Sequence, residues 1–162
     1  MKAAARMARL VLAVPAALAV SVHTAAAQST LEGAWRVAEV AGPGSRRVAD
    51  PQPGLLLFTG RYYSYTYVTS DGPRPALPNG PATAEALVNV WNPFTANAGT
   101  FETRGDTMTR RPFVAKSPDA MGQGVFNEYL FRMVADTLWM TATRTESGAT
   151  QAASTVKYVR VR

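Results

Sequence analysis

Thr30-Leu31-Glu32-Gly33-Ala34-Trp35-Arg36-Val37 opens the first period-two run of the chain. Alternation sets Gly33, Trp35 and Val37 on one face and Arg36 on the other, the pattern of a strand half-buried against a core. The reading places that strand over residues 31–40. What precedes it follows a different logic. Lys2, Arg6 and Arg9 form a basic head, and Leu10 to Val22 form an apolar run interrupted by Pro15. Thirteen residues fall short of the about 20 that a membrane span needs. Ala25 and Ala27 supply the small residues that a signal peptidase reads, so residues 1–27 are expected to be a secretory signal cleaved after Ala27. Arg6 and Arg9 are not adjacent, and no cysteine exists to take a lipoprotein's lipid. The expected location is periplasmic or secreted.

Taking 27 residues from 162 leaves 135, residues 28–162, which by length form one domain able to bury around two thirds of its unfolded surface. The formal charge of +6 includes three signal-peptide cations, so the mature chain carries +3. Its basic pairs are Arg46-Arg47 and Arg110-Arg111, neither within a longer run, and both are read as solvated surface and not as a nucleic-acid footprint. His23 is the only histidine and is removed with the signal. Without histidine or cysteine, no Ser-His-Asp or Cys-His nucleophile can be assembled. Zinc likewise loses its preferred ligands, and no metal or cofactor is expected. No Gly-x-Ser-x-Gly elbow, phosphate loop or paired-glutamate motif occurs.

Downstream, short alternating segments are separated by turn residues. Strands are predicted at 54–59 and 62–69 around Gly60-Arg61, at 98–104 and 107–115 around Gly105-Asp106, at 125–134 and 137–145 around Ala135-Asp136, and at 155–161. Residues 70–83 hold Pro73, Pro75, Pro78 and Pro81 and must be a surface loop. The one helical pattern follows: Thr83 caps it, and Leu87, Val90, Trp91 and Phe94 recur at helical spacing over about three turns. The fold class is therefore all-β, an eight-stranded antiparallel up-and-down barrel with one short helix between strands 3 and 4. Closure removes exposed strand edges, and eight strands leave room for packed side chains or one small ligand.

Leu31-Glu32-Gly33-Ala34-Trp35-Arg36, Pro53 to Phe58, Gly60-Arg61-Tyr62-Tyr63-Ser64, Phe94 to Glu102 and Asp136-Thr137-Leu138-Trp139, in this order, resemble bacterial and fungal lipocalin-like domain proteins, calycin-type β-barrels. The resemblance implies that Trp35, following Gly33, packs across the closed end of the barrel under an arginine of the last strand, here Arg160. Arg144 or Arg132 could equally cover it. Asn97 stands where the family's pattern has an aromatic residue, and the segment before the helix is richer in proline than the family's.

Tyr63, Tyr65, Tyr67, Trp91, Phe94, Tyr129, Phe131 and Trp139 are the candidate lining of a cavity, apolar with hydroxyls to orient a ligand; packing as a solid core is the other reading of the same residues. Glu102 with Arg104 and Glu128 with Arg132 read as solvent-facing ion pairs. The leading expectation is an exported protein that binds a small, largely apolar molecule, without catalytic residues. A cofactor-free isomerase or cyclase acting on a hydrophobic substrate and an envelope interaction protein with a filled barrel are the alternatives. Neither a nucleic-acid partner nor a membrane span after signal removal is expected.

Overall fold

A computed structural model of the chain describes residues 30–162. The signal peptide expected at 1–27, its cleavage point and His23 lie outside the described residues. The alternating segments form β1 (Gly33–Ala41), β3 (Gly54–Thr59), β4 (Tyr62–Val68), β5 (Phe94–Arg104), β6 (Thr107–Ala115), β7 (Asn127–Val134), β8 (Thr137–Thr145) and β10 (Thr155–Arg160). Each of these eight pairs antiparallel with the one before it, and β10 pairs with both β8 and β1, so the sheet closes on itself. Two-residue strands β2 (Arg47–Val48) and β9 (Gly148–Ala149) extend β1 and β8. The up-and-down order follows from tight turns: Gly60 and Gly105 take positive φ at two hairpins. At the third, Ala135 holds φ 49, a conformation that costs a residue with a Cβ roughly 1 kcal/mol or more.

β1 begins two residues later than its pattern suggests, because Thr30 and Leu31 are helical. That turn lets Leu31 plug the barrel end, where its carbonyl accepts the Trp35 indole N–H at 2.8 Å. Leu31, Trp35, Leu56, Phe58, Met108, Leu138 and Met140 are the large buried apolar side chains there, with Phe58 and Phe101 tilted ring to ring at 4.7 Å. Each fully buried leucine contributes roughly 1.5–3 kcal/mol. The opposite end is the mouth, ringed by residues 42–53, the proline-rich segment and the links after β6 and β8.

Two glycines are demanded by this geometry. Gly33 has φ +116, and a Cβ there would stand 3.0 Å from Arg160 Nη1. Gly99 lies opposite the buried Pro112, just after a bulge in the β5–β6 pairing. Pro112 brings no N–H to the ladder, so the bulge accommodates it. The strands approach so closely there that a Cβ on Gly99 would lie 2.0 Å from the Arg111 carbonyl oxygen.

The helix, α1 (Ala84–Trp91), does fall between the third and fourth barrel strands, and the Thr83 hydroxyl accepts the Ala86 N–H at 3.1 Å. It is shorter than its sequence pattern. Phe94 stands at helical spacing from Trp91 but starts β5, where strand pairing with Val68 takes over. α1 contributes no buried residue, and Trp91 is 56% exposed.

Candidate binding site

Alternation carries the side chains of Tyr63, Tyr65 and Tyr67 down one inner wall of the barrel, with Tyr129 and Phe131 on β7 and Tyr158 on β10 facing them. Into this lining β6 sends Arg110, on the same face as the buried Met108 and Pro112 and only 3% exposed. Its guanidinium lies 4.8 Å from the Tyr129 ring centroid, 4.9 Å from Tyr63, 5.7 Å from Phe58 and 5.9 Å from Tyr65. Nη2 donates to the Met140 thioether at 3.2 Å. Nε has no acceptor, and neither do the buried Tyr63 hydroxyl and Thr103 Oγ1, among the described residues.

Among the described residues no carboxylate pairs with this cation. The ion pairs among the described residues are Arg46–Asp71, Arg47–Glu39, Glu102 with Arg104 and Arg111, and Asp136 with Arg160 and Arg162. Taking a charge out of water costs several kcal/mol even after relaxation. An aromatic face returns about 0.5–2 kcal/mol per ring, so the cage offsets much of that cost. It cannot replace an oxygen acceptor for a strong donor, and a thioether is a weak one.

The tyrosines register the same environment. Burial pushes the Tyr158 hydroxyl up to about 12, against the pull of the Arg110 charge and of hydrogen bonding with Arg110 and Tyr65. Burial likewise raises Tyr63 to about 12, again opposed by Arg110. Tyr65 is raised furthest, by burial first and by the neighbouring Tyr158 second. Tyr67, nearer the mouth, is raised by burial and by the Asp71 carboxylate. All four therefore keep their protons at neutral pH and offer O–H donors as well as lone pairs. Tyr65 and Tyr67 stack at 6.3 Å, and Tyr67 with Val40 and Val48 borders a pocket of about 210 Å³ at the mouth.

Of the eight residues read as cavity lining, Tyr63, Tyr65, Tyr67, Tyr129 and Phe131 are on the inner wall. Trp91, Phe94 and Trp139 are not. Trp91 stands on the exposed helix with Lys116 Nζ 5.0 Å from its ring, while the ammonium donates to the Trp91 carbonyl at 2.6 Å. Phe94 falls on the outer side of β5 and carries the Arg74 guanidinium at 5.0 Å. Trp139 alternates with the buried Leu138 and Met140, so it faces outward, where Arg132 stacks on it at 4.0 Å. Arg160 covers Trp35 at 4.0 Å, whereas Arg144 lies over Phe126 at 5.4 Å. Glu102 pairs with Arg104 as expected, but the partner expected for Glu128, Arg132, is spent on Trp139.

The reading of Arg110-Arg111 as a solvated pair is corrected by half. Arg111 is exposed and Arg110 is inside. Adjacent strand residues point to opposite faces, so one arginine of the pair had to share the Met108 and Pro112 face. Tyr158, equally buried, was legible only as part of an alternating last strand.

No protein family and no curated protein matches the chain. Among solved structures it is similar to a lipocalin-like protein from Bacteroides uniformis ATCC 8492, at 10% identity and a TM-score of 0.45, over 81% of this chain and 98% of that one. By its own strand order and closure, the chain is a closed, eight-stranded antiparallel up-and-down barrel.

Proposed function

We propose that this protein binds a small, largely apolar molecule inside its barrel and that it does so after export. The observation that carries the reading is the inner wall itself, where Tyr63, Tyr65, Tyr129, Tyr158 and Arg110 bring more polar groups than packing needs. A filled core is served best by Leu, Ile, Val and Phe, while binding sites combine an apolar lining with a few convergent polar groups. Among the described residues the buried polar side chains other than tyrosines are Thr103 and Arg110, so no observation favours proton transfer by an interior carboxylate. Export rests on the basic head, the apolar run and Ala25 and Ala27, and it predicts an extracytoplasmic product starting at Gln28 by intact mass. No helix among the described residues is long and apolar enough to cross a membrane.

The binding test is titration with an environment-sensitive apolar dye. The reading expects saturation at about one equivalent, because such sites are few per protein. Tyr65→Ala should weaken the dye's binding, and Trp91→Ala, on the outer helix, should not. A dye that finds no stoichiometric site in the wild type would leave the barrel a solid core and the outer surface as the functional part.

A further inference from the structure

We infer that the occupant of the barrel carries an anionic head, a carboxylate or similar monoanion, that seats against Arg110, with its apolar body directed along the tyrosine ladder toward the mouth. This deepens the binding-protein reading and rests on it.

The argument is a comparison of two arginines on one inner face. Arg160 is fully employed by the fold: it donates to the Glu32 carbonyl and, at 2.7 Å, to the Thr30 carbonyl, pairs with Asp136 at 3.5 Å and covers Trp35. Arg110 is more deeply buried and has no such partners. Its contacts are four aromatic rings, the Met140 thioether and the Tyr158 hydroxyl, all uncharged; its Nε–H is unmatched, and the adjacent Tyr63 hydroxyl is unmatched too. A guanidinium is a planar fork of donors whose natural complement is a carboxylate or phosphate oxygen pair. Arg46, Arg47, Arg104, Arg111, Arg160 and Arg162 each have a carboxylate within reach, while Arg110, inside the barrel and away from water, has none among the described residues. A buried charge left unpaired is a cost to the apoprotein, and breaches of this kind concentrate where a ligand completes the site.

The surroundings define the rest of the occupant. The ladder Tyr63, Tyr65, Tyr67 runs from Arg110 toward the mouth, and Phe131, Val40 and Val156 pack against the same core, a wall suited to an apolar body and not to a free hydrated ion. The pocket bordered by Tyr67, Val40 and Val48 lies where such a body would enter.

The experiment is calorimetric titration of the purified protein with decanoate, decanol, decylamine and, as a headgroup without a tail, acetate. Decanoate is expected to bind at about one equivalent and at least about tenfold more tightly than decanol, with decylamine the weakest and acetate undetected. Arg110→Met should bring decanoate down to the decanol level, while its apoprotein melts at the same temperature or higher. Arg110→Lys, which keeps the charge but loses the fork, should retain the preference for decanoate in weakened form and guards against a fold defect in the methionine variant. Equal affinity for decanoate and decanol, or a preference unchanged in Arg110→Met, would overturn the anionic head while leaving the binding-protein reading intact. Acetate binding as well as decanoate would make the occupant a free small anion and overturn the tail. Failure of every probe to bind would remove both readings together.

Discussion

The Arg160 guanidinium lies 4.0 Å over the Trp35 indole, and the two residues are directly paired across β1 and β10. The arginine also holds the Thr30 and Glu32 carbonyls, so one side chain fastens the entering turn, the first strand and the last. Trp35→Ala should cost about 3–5 kcal/mol, the range for a large aromatic lost from a core. Arg160→Ala should cost less. A double-mutant cycle by urea unfolding should return a coupling of about 0.5–2 kcal/mol, and zero coupling would mean that the stacking contributes nothing.

The bulge opposite Pro112 makes Gly99 intolerant of any side chain. A Cβ there meets the Arg111 carbonyl oxygen, which belongs to the backbone and cannot swing aside. Gly99→Ala should destabilise by about 1–3 kcal/mol or more, as overpacking does. A chemical-denaturation midpoint equal to that of the wild type would contradict the close approach of β5 and β6.

Ala135 is the opposite case, a residue with a Cβ held at φ 49 in the β7–β8 turn. Ala135→Gly removes the steric cost and adds some unfolded-state entropy, so a net gain of roughly 0.5–1 kcal/mol is expected. Thermal unfolding checks it, and a loss of stability would mean that the turn relaxes without strain.

Buried tyrosines give the stability a defined alkaline limit. Tyr158 releases its proton near 12 in the folded protein, against 10.0 when unperturbed. Below the unfolded value both states are protonated, and this group leaves stability unchanged. Above it the unfolded chain ionises first, so stability falls as pH rises, with the loss complete past the folded value and on the order of 2–3 kcal/mol for one such group. Urea unfolding from pH 8 to 12 should show that decline, and Tyr158→Phe should flatten it. Tyr63 and Tyr65, raised for the same reason, keep part of the slope. A variant that declines as steeply as the wild type would remove Tyr158 from this role.

Strand number, order and the inner tyrosine wall are legible from alternation and turn residues, because burial of one sheet face is a local, period-two signal. Phe94 was ambiguous on that basis, since it fits both a helical spacing from Trp91 and the start of a strand, and only the pairing with Val68 decides. Trp139 was decidable from register. A two-residue turn at Ala135-Asp136 pairs Arg132 with Trp139 and Met133 with Leu138, which places Trp139 on the face opposite Phe131. Arg110 was the hardest, because two adjacent arginines argue for solvent by charge while alternation requires one of them to face inward. Charge dominated that reading, and the aromatic cage that stabilises the inward arginine comes from β3, β4 and β7, distant in sequence.

Native mass spectrometry of the protein purified from its own cell envelope tests most directly whether the barrel holds a ligand. The account predicts a single small-molecule adduct on the chain starting at Gln28, lost on denaturation and at lower occupancy on protein carrying Arg110→Met. Bare protein mass from every gentle preparation, for wild type and variant alike, would contradict it.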